Sequence, residues 1–180
     1  MTRLESQVVE PQLEWCDVHE LVDASVKAAG DALKGHPVRV DVAPDIPLIK
    51  TDQALLQQAL ANILHNAAVY TPGDSAVELT VRHAEQKLRL TVRDHGPGLP
   101  PGEEGRVFGK FYRAPGAPAG GTGLGLSIAR GFVQALGGDL AGWNHPQGGA
   151  VFEILLKADF LSQDDDSACA LGRIAETSGA

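Results

Sequence analysis

The stretch from Thr51 to Tyr70 constrains the fold more than any other part of the chain. Leu55, Leu56, Ala59, Leu60, Ile63, Leu64 and Ala67 recur every three or four positions, the spacing of a helix with one broad apolar face. Thr51 or Asp52 can cap its start, and Thr71-Pro72-Gly73-Asp74 ends it. Alternating segments flank it. Val38 to Val42 reads as a strand closed by Pro44 and Pro47, with Leu48-Ile49 a short extended piece. Val77, Leu79 and Val81, then Leu88, Leu90 and Val92, alternate about a turn at His83 to Gln86, which predicts a hairpin. An earlier helix starts at the capping box Asp17-x-x-Glu20 and runs to Leu33, where Gly35 stops it. A short helical stretch lies near Glu103–Phe108, a longer one spans Gly123 to Leu136, and Leu140–Trp143 and Val151–Leu156 are two closing strands. No repeat is visible. Helix, strand, helix, strand, strand, helix, strand, strand is the order of an α+β, two-layer sandwich: one mixed sheet with helices on one face.

The chain has 180 residues, which suits one domain. Its net charge of −8 argues against a nucleic-acid backbone as the main partner. There is no apolar run of about 18 residues to span or contact a membrane, and the first residues lack a signal peptide's apolar core. Cys16 and Cys169 stand far apart without a CxxC pattern, which suits two incidental thiols in a reducing, cytoplasmic setting. Residues 1–16 read as the end of a preceding segment and 17–158 as the folded domain. Residues 159–180 hold five acidic residues and one basic, and read as a disordered tail or an acidic docking segment.

Most of the 21 glycines cluster. Asp94-His95-Gly96-Pro97-Gly98 follows a strand; an ordinary turn explains it, and so does a loop whose backbone approaches a flat ligand while Asp94 accepts its hydrogen bonds. Gly121-Thr122-Gly123-Leu124-Gly125 opens a helix, which suits a hinge or a polyphosphate held on first-turn amides. It is neither a dinucleotide fingerprint nor a P-loop, because the spacing fails for the first and Gly109-Lys110 is followed by Phe111 for the second. Asn62, Asn66 and Tyr70 lie four apart, on one stripe of the long helix. They make either a solvated face or a pocket wall that offers a carbonyl oxygen to Mg²⁺. Phe108, Phe111 and Tyr112 fall within five positions, beside Arg113 at the start of a Gly/Pro/Ala-rich loop.

In this order, Asn62-x-x-x-Asn66-Ala, Asp94-x-Gly96-x-Gly98, Phe108-x-x-Phe111-Tyr-Arg113 and Gly121-x-Gly123-Leu-Gly125 resemble the N, G1, F and G2 boxes of sensor histidine kinases. The resemblance covers about residues 14–157. Leu99-Pro-Pro-Gly-Glu-Glu and Trp143-Asn-His-Pro-Gln-Gly-Gly149 look most like the Kdp-type, potassium-responsive members. The family implies a Bergerat-type ATP-binding fold. By resemblance Asn66 ligates Mg²⁺ and Asn62 supports it. Asp94 accepts from the adenine amino group, Gly96 and Gly98 shape the base pocket, and Tyr70 lines it. Gly121, Thr122, Gly123, Leu124 and Gly125 hold the phosphates, residues 109–121 form a lid, and Arg113 stabilises charge on the transferring γ-phosphoryl.

The departures shape the expectation. Val69 stands where the family carries Lys or Arg three residues after the Mg²⁺ asparagine, and Arg113 or Lys110 is the candidate to compensate. His95 replaces a commoner Asn, and little effect is expected of it; His65 stands where an acidic or small polar residue is commoner, and reads as exposed and idle or as able to affect proton handling. None of the six histidines begins the acceptor pattern His-Glu/Asp-Leu-Arg-x-Pro. The chain therefore reads as the catalytic domain of a larger, membrane-anchored kinase. Its expected partners are a histidine-containing dimerisation domain and a response regulator, and alone it is expected to be a monomer. Two alternatives stay open: a degenerate docking module, and a serine kinase or ATPase of the same fold. Asn62 stands where chaperone and gyrase ATPases place a glutamate to activate water.

Overall fold

The computed structural model describes residues 10–114 and 122–161. Strand β1 (Glu14–Cys16) precedes helix α1 (Val18–Ala28) and the single turn α2 (Gly30–Leu33). Asp17 caps α1, its carboxylate accepting from the amides of His19 at 2.7 Å and Glu20 at 3.4 Å. The helix expected to run unbroken to Leu33 is interrupted at Ala29, just before Gly30. Glycine weakens a helix interior, and the break still seats Leu33 in the core.

Strands β2 (Val38–Val42) and β3 (Ile49–Thr51) lead into the central helix α3 (Gln53–Tyr70). Asp52 caps α3 by accepting from Leu55 N at 3.1 Å, and its other oxygen accepts from Gln12 N at 2.8 Å, tying down the N-terminal segment. Hairpin β4 (Val77–Ala84) and β5 (Lys87–Arg93) follows. Its turn is Glu85-Gln86, both at positive φ (50° and 59°), the twist a two-residue hairpin demands even without glycine. Next come a 3₁₀ turn (Arg106–Phe108), helix α4 (Gly125–Ala135) and strands β6 (Asp139–Asn144), β7 (Ala150–Lys157) and β8 (Asp159–Phe160).

The main sheet runs β2-β4-β5-β7-β6. Only the β2–β4 pair is parallel, so the sheet is mixed, as expected. Leu79, Leu88, Leu90, Phe152, Ile154 and Leu156 alternate onto one face and are fully buried. Leu21, Leu56, Leu60, Ile63 and Leu64 of α1 and α3 are buried in the same core, and α3 packs between α1 and α4. The opposite face carries charged rows such as Arg82–Asp41 and Arg89–Glu153.

A second, three-stranded antiparallel sheet, β1-β3-β8, was not expected. It moves both domain limits outward. Glu14–Cys16, placed with a preceding segment, pairs with β3, and Asp159–Phe160, placed in the tail, pairs with β3 on its other side. Strands of three and two residues are too short for period-two patterning to be read. Residues 162–180 lie outside the described residues. Among those described, no helix is long and apolar enough to cross a membrane.

Candidate functional site

The end of β5 delivers Asp94 into the interior, where it is only 2% exposed. Its Oδ1 accepts from Gly96 N and from Ala150 N, each at 2.9 Å. Among the described residues no donor takes Oδ2, which is the oxygen left for a ligand. Burial pushes the Asp94 carboxyl above the ordinary carboxylate range, although the two backbone amides pull the other way.

The loop after Asp94 is shaped by close approach. A Cβ on Gly96 would stand 2.4 Å from the Tyr70 carbonyl oxygen, so only glycine lets this loop rest on the end of α3. Beside it opens a recess lined by Asn66, Tyr70, Asp94, Gly98, Leu99 and Phe152, among others. Apolar walls with one aimed carboxylate oxygen suit a flat heterocycle that donates a hydrogen bond.

Asn66 and Tyr70 also line a wider, more open cleft, together with Asn62, Arg113, Thr122, Gly123, Leu124 and Gly125. The two spaces therefore adjoin, with Asn66, Tyr70, Val107 and Leu126 on the wall between them. No side chain caps the start of α4, so its first-turn amides have no side-chain acceptor there, as an anion site needs. Gly123 sits at φ 69°, and a Cβ on it would stand 2.6 Å from the Tyr112 carbonyl oxygen, so the two roots of the intervening loop touch. Tyr112 donates its hydroxyl hydrogen to Glu103, which raises the phenol's pKa; Glu103 also pairs with Arg106. Phe111, the residue before, is 72% exposed at φ 63°.

Asn62, Asn66, Tyr70, Asp94, Gly98, Arg113, Thr122, Gly123, Leu124 and Gly125 thus line one or other of two adjoining spaces. Gly96 supports the recess wall from behind. Lys110 is exposed and lines neither part. Val69 lines the cleft with an apolar side chain, and the exposed His65 lines it too. His95 turns to Glu78 at 3.2 Å, away from the recess. Gly121 and most of the expected lid, 115–121, lie outside the described residues.

Sequence reasoning missed the contribution of the β6–β7 hairpin. Ala150 supplies an amide to Asp94, and buried Gly149 lies so close beneath it that a Cβ would stand 1.9 Å from the Asp94 carbonyl oxygen. Asn144 grips Leu99 of the recess wall. The Gly148-Gly149 pair was the available signal.

The profile of the histidine kinase-, DNA gyrase B-, and HSP90-like ATPase family matches residues 51–159. The chain belongs to this family. The sensor protein KdpD of Escherichia coli (strain K12) is 34% identical over 157 residues, which is 87% of this chain and 17% of KdpD. The chain therefore spans less than a fifth of that relative. Among solved structures, a chain of the mycobacterial sensor histidine kinase MprB superposes with a TM-score of 0.72 at 28% identity, covering 82% of this chain and 100% of that solved chain. Full-length ShkA in complex with AMPPNP gives a TM-score of 0.76 at 27% identity, over 89% of this chain and 34% of ShkA. The fold is that of a histidine-kinase ATP-binding catalytic domain.

Proposed function

We propose that this chain is the ATP-binding half of a two-component sensor histidine kinase, donating the γ-phosphoryl of Mg-ATP to a histidine on a separate dimerisation domain, from which a response-regulator aspartate receives it. One observation carries the reading: Asn66, Asp94 and Gly123, from three separate segments, line two adjoining spaces, an apolar recess at Asp94 and a wider cleft at the uncapped start of α4. Asp94 Oδ2 accepts from the base. The amides of Thr122 to Gly125 hold the phosphates, and Arg113, at the rim of the cleft, stabilises charge on the transferring group. The cleft wall carries no aspartate or glutamate beyond the buried Asp94 at its base end. Water would lack the carboxylate base that related ATPases use to activate it, whereas an incoming imidazole is itself the nucleophile and needs mainly positioning. This favours phosphoryl transfer over an ATPase or serine kinase.

The donor set fits a magnesium ion. Asn66 lines the cleft, its side-chain amide has no partner among the described residues, and Mg²⁺ usually takes one or two protein oxygens alongside phosphates and water. Bound there with ATP, the ion would neutralise charge on the phosphate oxygens. Asn62, whose Oδ1 accepts from Gln58 Nε2 at 3.2 Å, lies one turn away in support. Asn66→Ala should abolish the metal dependence of binding: the ratio of ATP dissociation constants in EDTA and in Mg²⁺ should collapse towards one, and calorimetry showing the ratio intact would remove the ligand role.

Val69 gives a second reading some footing. An apolar side chain in the phosphate half of the cleft suits a docking module that has lost tight ATP binding. Val69→Lys should tighten Mg-ATP binding by about tenfold, the effect of one charge-assisted phosphate contact; an unchanged titration would show that the position does not reach the phosphates. The decisive assay for function is incubation with ATP and a histidine-containing dimerisation domain. Acid-labile phosphate on that histidine supports the kinase; saturable ATP binding without it, or none at all, supports the rivals. The likeness to KdpD extends the proposal to a membrane-anchored, potassium-responsive parent with this domain on the cytoplasmic side.

A further inference from the structure

Asn144 ends β6, on the opposite side of the recess loop from α3. Its side-chain amide meets both backbone polar groups of one residue: Oδ1 accepts from Leu99 N at 2.6 Å, and Nδ2 donates to Leu99 O at 2.9 Å. Only a side-chain amide can offer an acceptor and a donor side by side to a single residue's N–H and C=O. The fit is close, because a Cβ on Gly98, at φ 82°, would stand 2.5 Å from Asn144 Oδ1.

The residues it grips are a wall of the recess: Gly98, Leu99 and Pro100 face the space opposite Asn66 and Tyr70. The same β6–β7 hairpin holds the other end of the loop. Ala150 N donates to Asp94 Oδ1, and Asp94 N donates to Ala150 O, both at 2.9 Å. One hairpin therefore fixes the distance between the base acceptor and the wall. Its reach does not extend to the phosphate end, because no hairpin residue lines the wide cleft.

We propose that Asn144 is a positioning residue for the nucleobase: it holds the Gly98–Pro100 wall at the spacing a purine needs from Asp94. This rests on the ATP-binding reading above. Asn144 touches no substrate, so its loss removes binding shared by ground state and transition state. That raises KM and leaves kcat alone.

Two variants of the full chain test it. Asn144→Ala deletes the clamp. Asn144→Asp keeps the shape and the acceptor for Leu99 N–H but sets a carboxylate oxygen against the Leu99 carbonyl. In phosphotransfer to a histidine-containing dimerisation domain, KM for ATP should rise about fivefold in Asn144→Ala and at least as much in Asn144→Asp. The kcat should stay within about twofold of wild type in both. Calorimetric affinity for ATP should fall by the same factor as KM rises. Variants that match wild type in KM overturn the proposal. So does a fall in kcat at constant KM, which makes the clamp a support of the fold alone. Wild-type chain that binds no ATP sinks the functional reading and this inference together, whereas wild-type binding with unaltered variants sinks this inference only.

Discussion

Asp94→Asn should lose ATP affinity by about 100-fold or more while leaving the unliganded domain at least as stable as wild type at pH 7. The two halves of that result have one cause. Asp94 is buried, and its burial raises the carboxyl pKa despite two backbone amides on Oδ1. The folded chain therefore holds this proton more tightly than the unfolded chain does. The stability it contributes is fullest at low pH and is lost as pH rises through the folded-state value, so the ionised group is a net cost near neutrality. Asparagine keeps an Oδ1 for Gly96 and Ala150 and removes the charge. It also replaces Oδ2, the oxygen without a protein donor, by an NH₂ that meets another donor. Urea unfolding at pH 7 and pH 5 checks the first half: the advantage of Asp94→Asn should shrink at the lower pH. Calorimetry with ATP checks the second. Asp94→Ala behaves differently, because two buried amides lose their acceptor at about 1–3 kcal/mol each, and stability falls together with binding.

Gly149→Ala should be the most damaging single methyl in the chain. Its backbone sits at φ 84°, and the added carbon would lie 1.9 Å from the Asp94 carbonyl oxygen, 2.8 Å from its carbon and 3.1 Å from His95 Cα. All three are backbone atoms, so no rotamer change relieves the clash. The hairpin must part from the Asp94 strand end, which breaks the two Ala150–Asp94 hydrogen bonds. A loss of about 4 kcal/mol or more in urea unfolding is expected, enough to leave a marginally stable domain largely unfolded. Gly137→Ala is the control. It too has positive φ, 75°, but nothing lies within 4 Å of the added carbon, so only the backbone term of about 1–2 kcal/mol applies. Similar losses in the two variants would mean that close approach to Asp94 does not set the cost.

These two residues mark how far the sequence could be read. Asp94 was legible because it closes an alternating strand and opens a glycine pair, a local pattern. Asn66 and Gly123 were legible for the same reason, one on a helix stripe and one at a helix start. The long periodic segments showed the sandwich, since α3 carries seven core positions on one face and the β4–β5 hairpin alternates cleanly. Gly149 and Asn144 were not legible as site residues. Their roles depend on contacts 45 to 56 residues away, and no local spacing encodes such a pairing. The second sheet escaped because its strands are held by neighbours rather than by their own pattern: β8 has two residues, and Phe160 is placed by β3 and by the His83 ring, 5.4 Å distant.

Because Tyr112 and Gly123 already abut, whatever chain joins them is tethered at a single point of the sandwich. Closing a longer loop there costs little, about 0.6 kcal/mol for each doubling of its length. Insertions, deletions and rewritten composition between these two anchors would then leave the nucleotide pocket's foundations undisturbed. Change in that stretch can accumulate at its own pace while the walls of the recess and the cleft stay where they are.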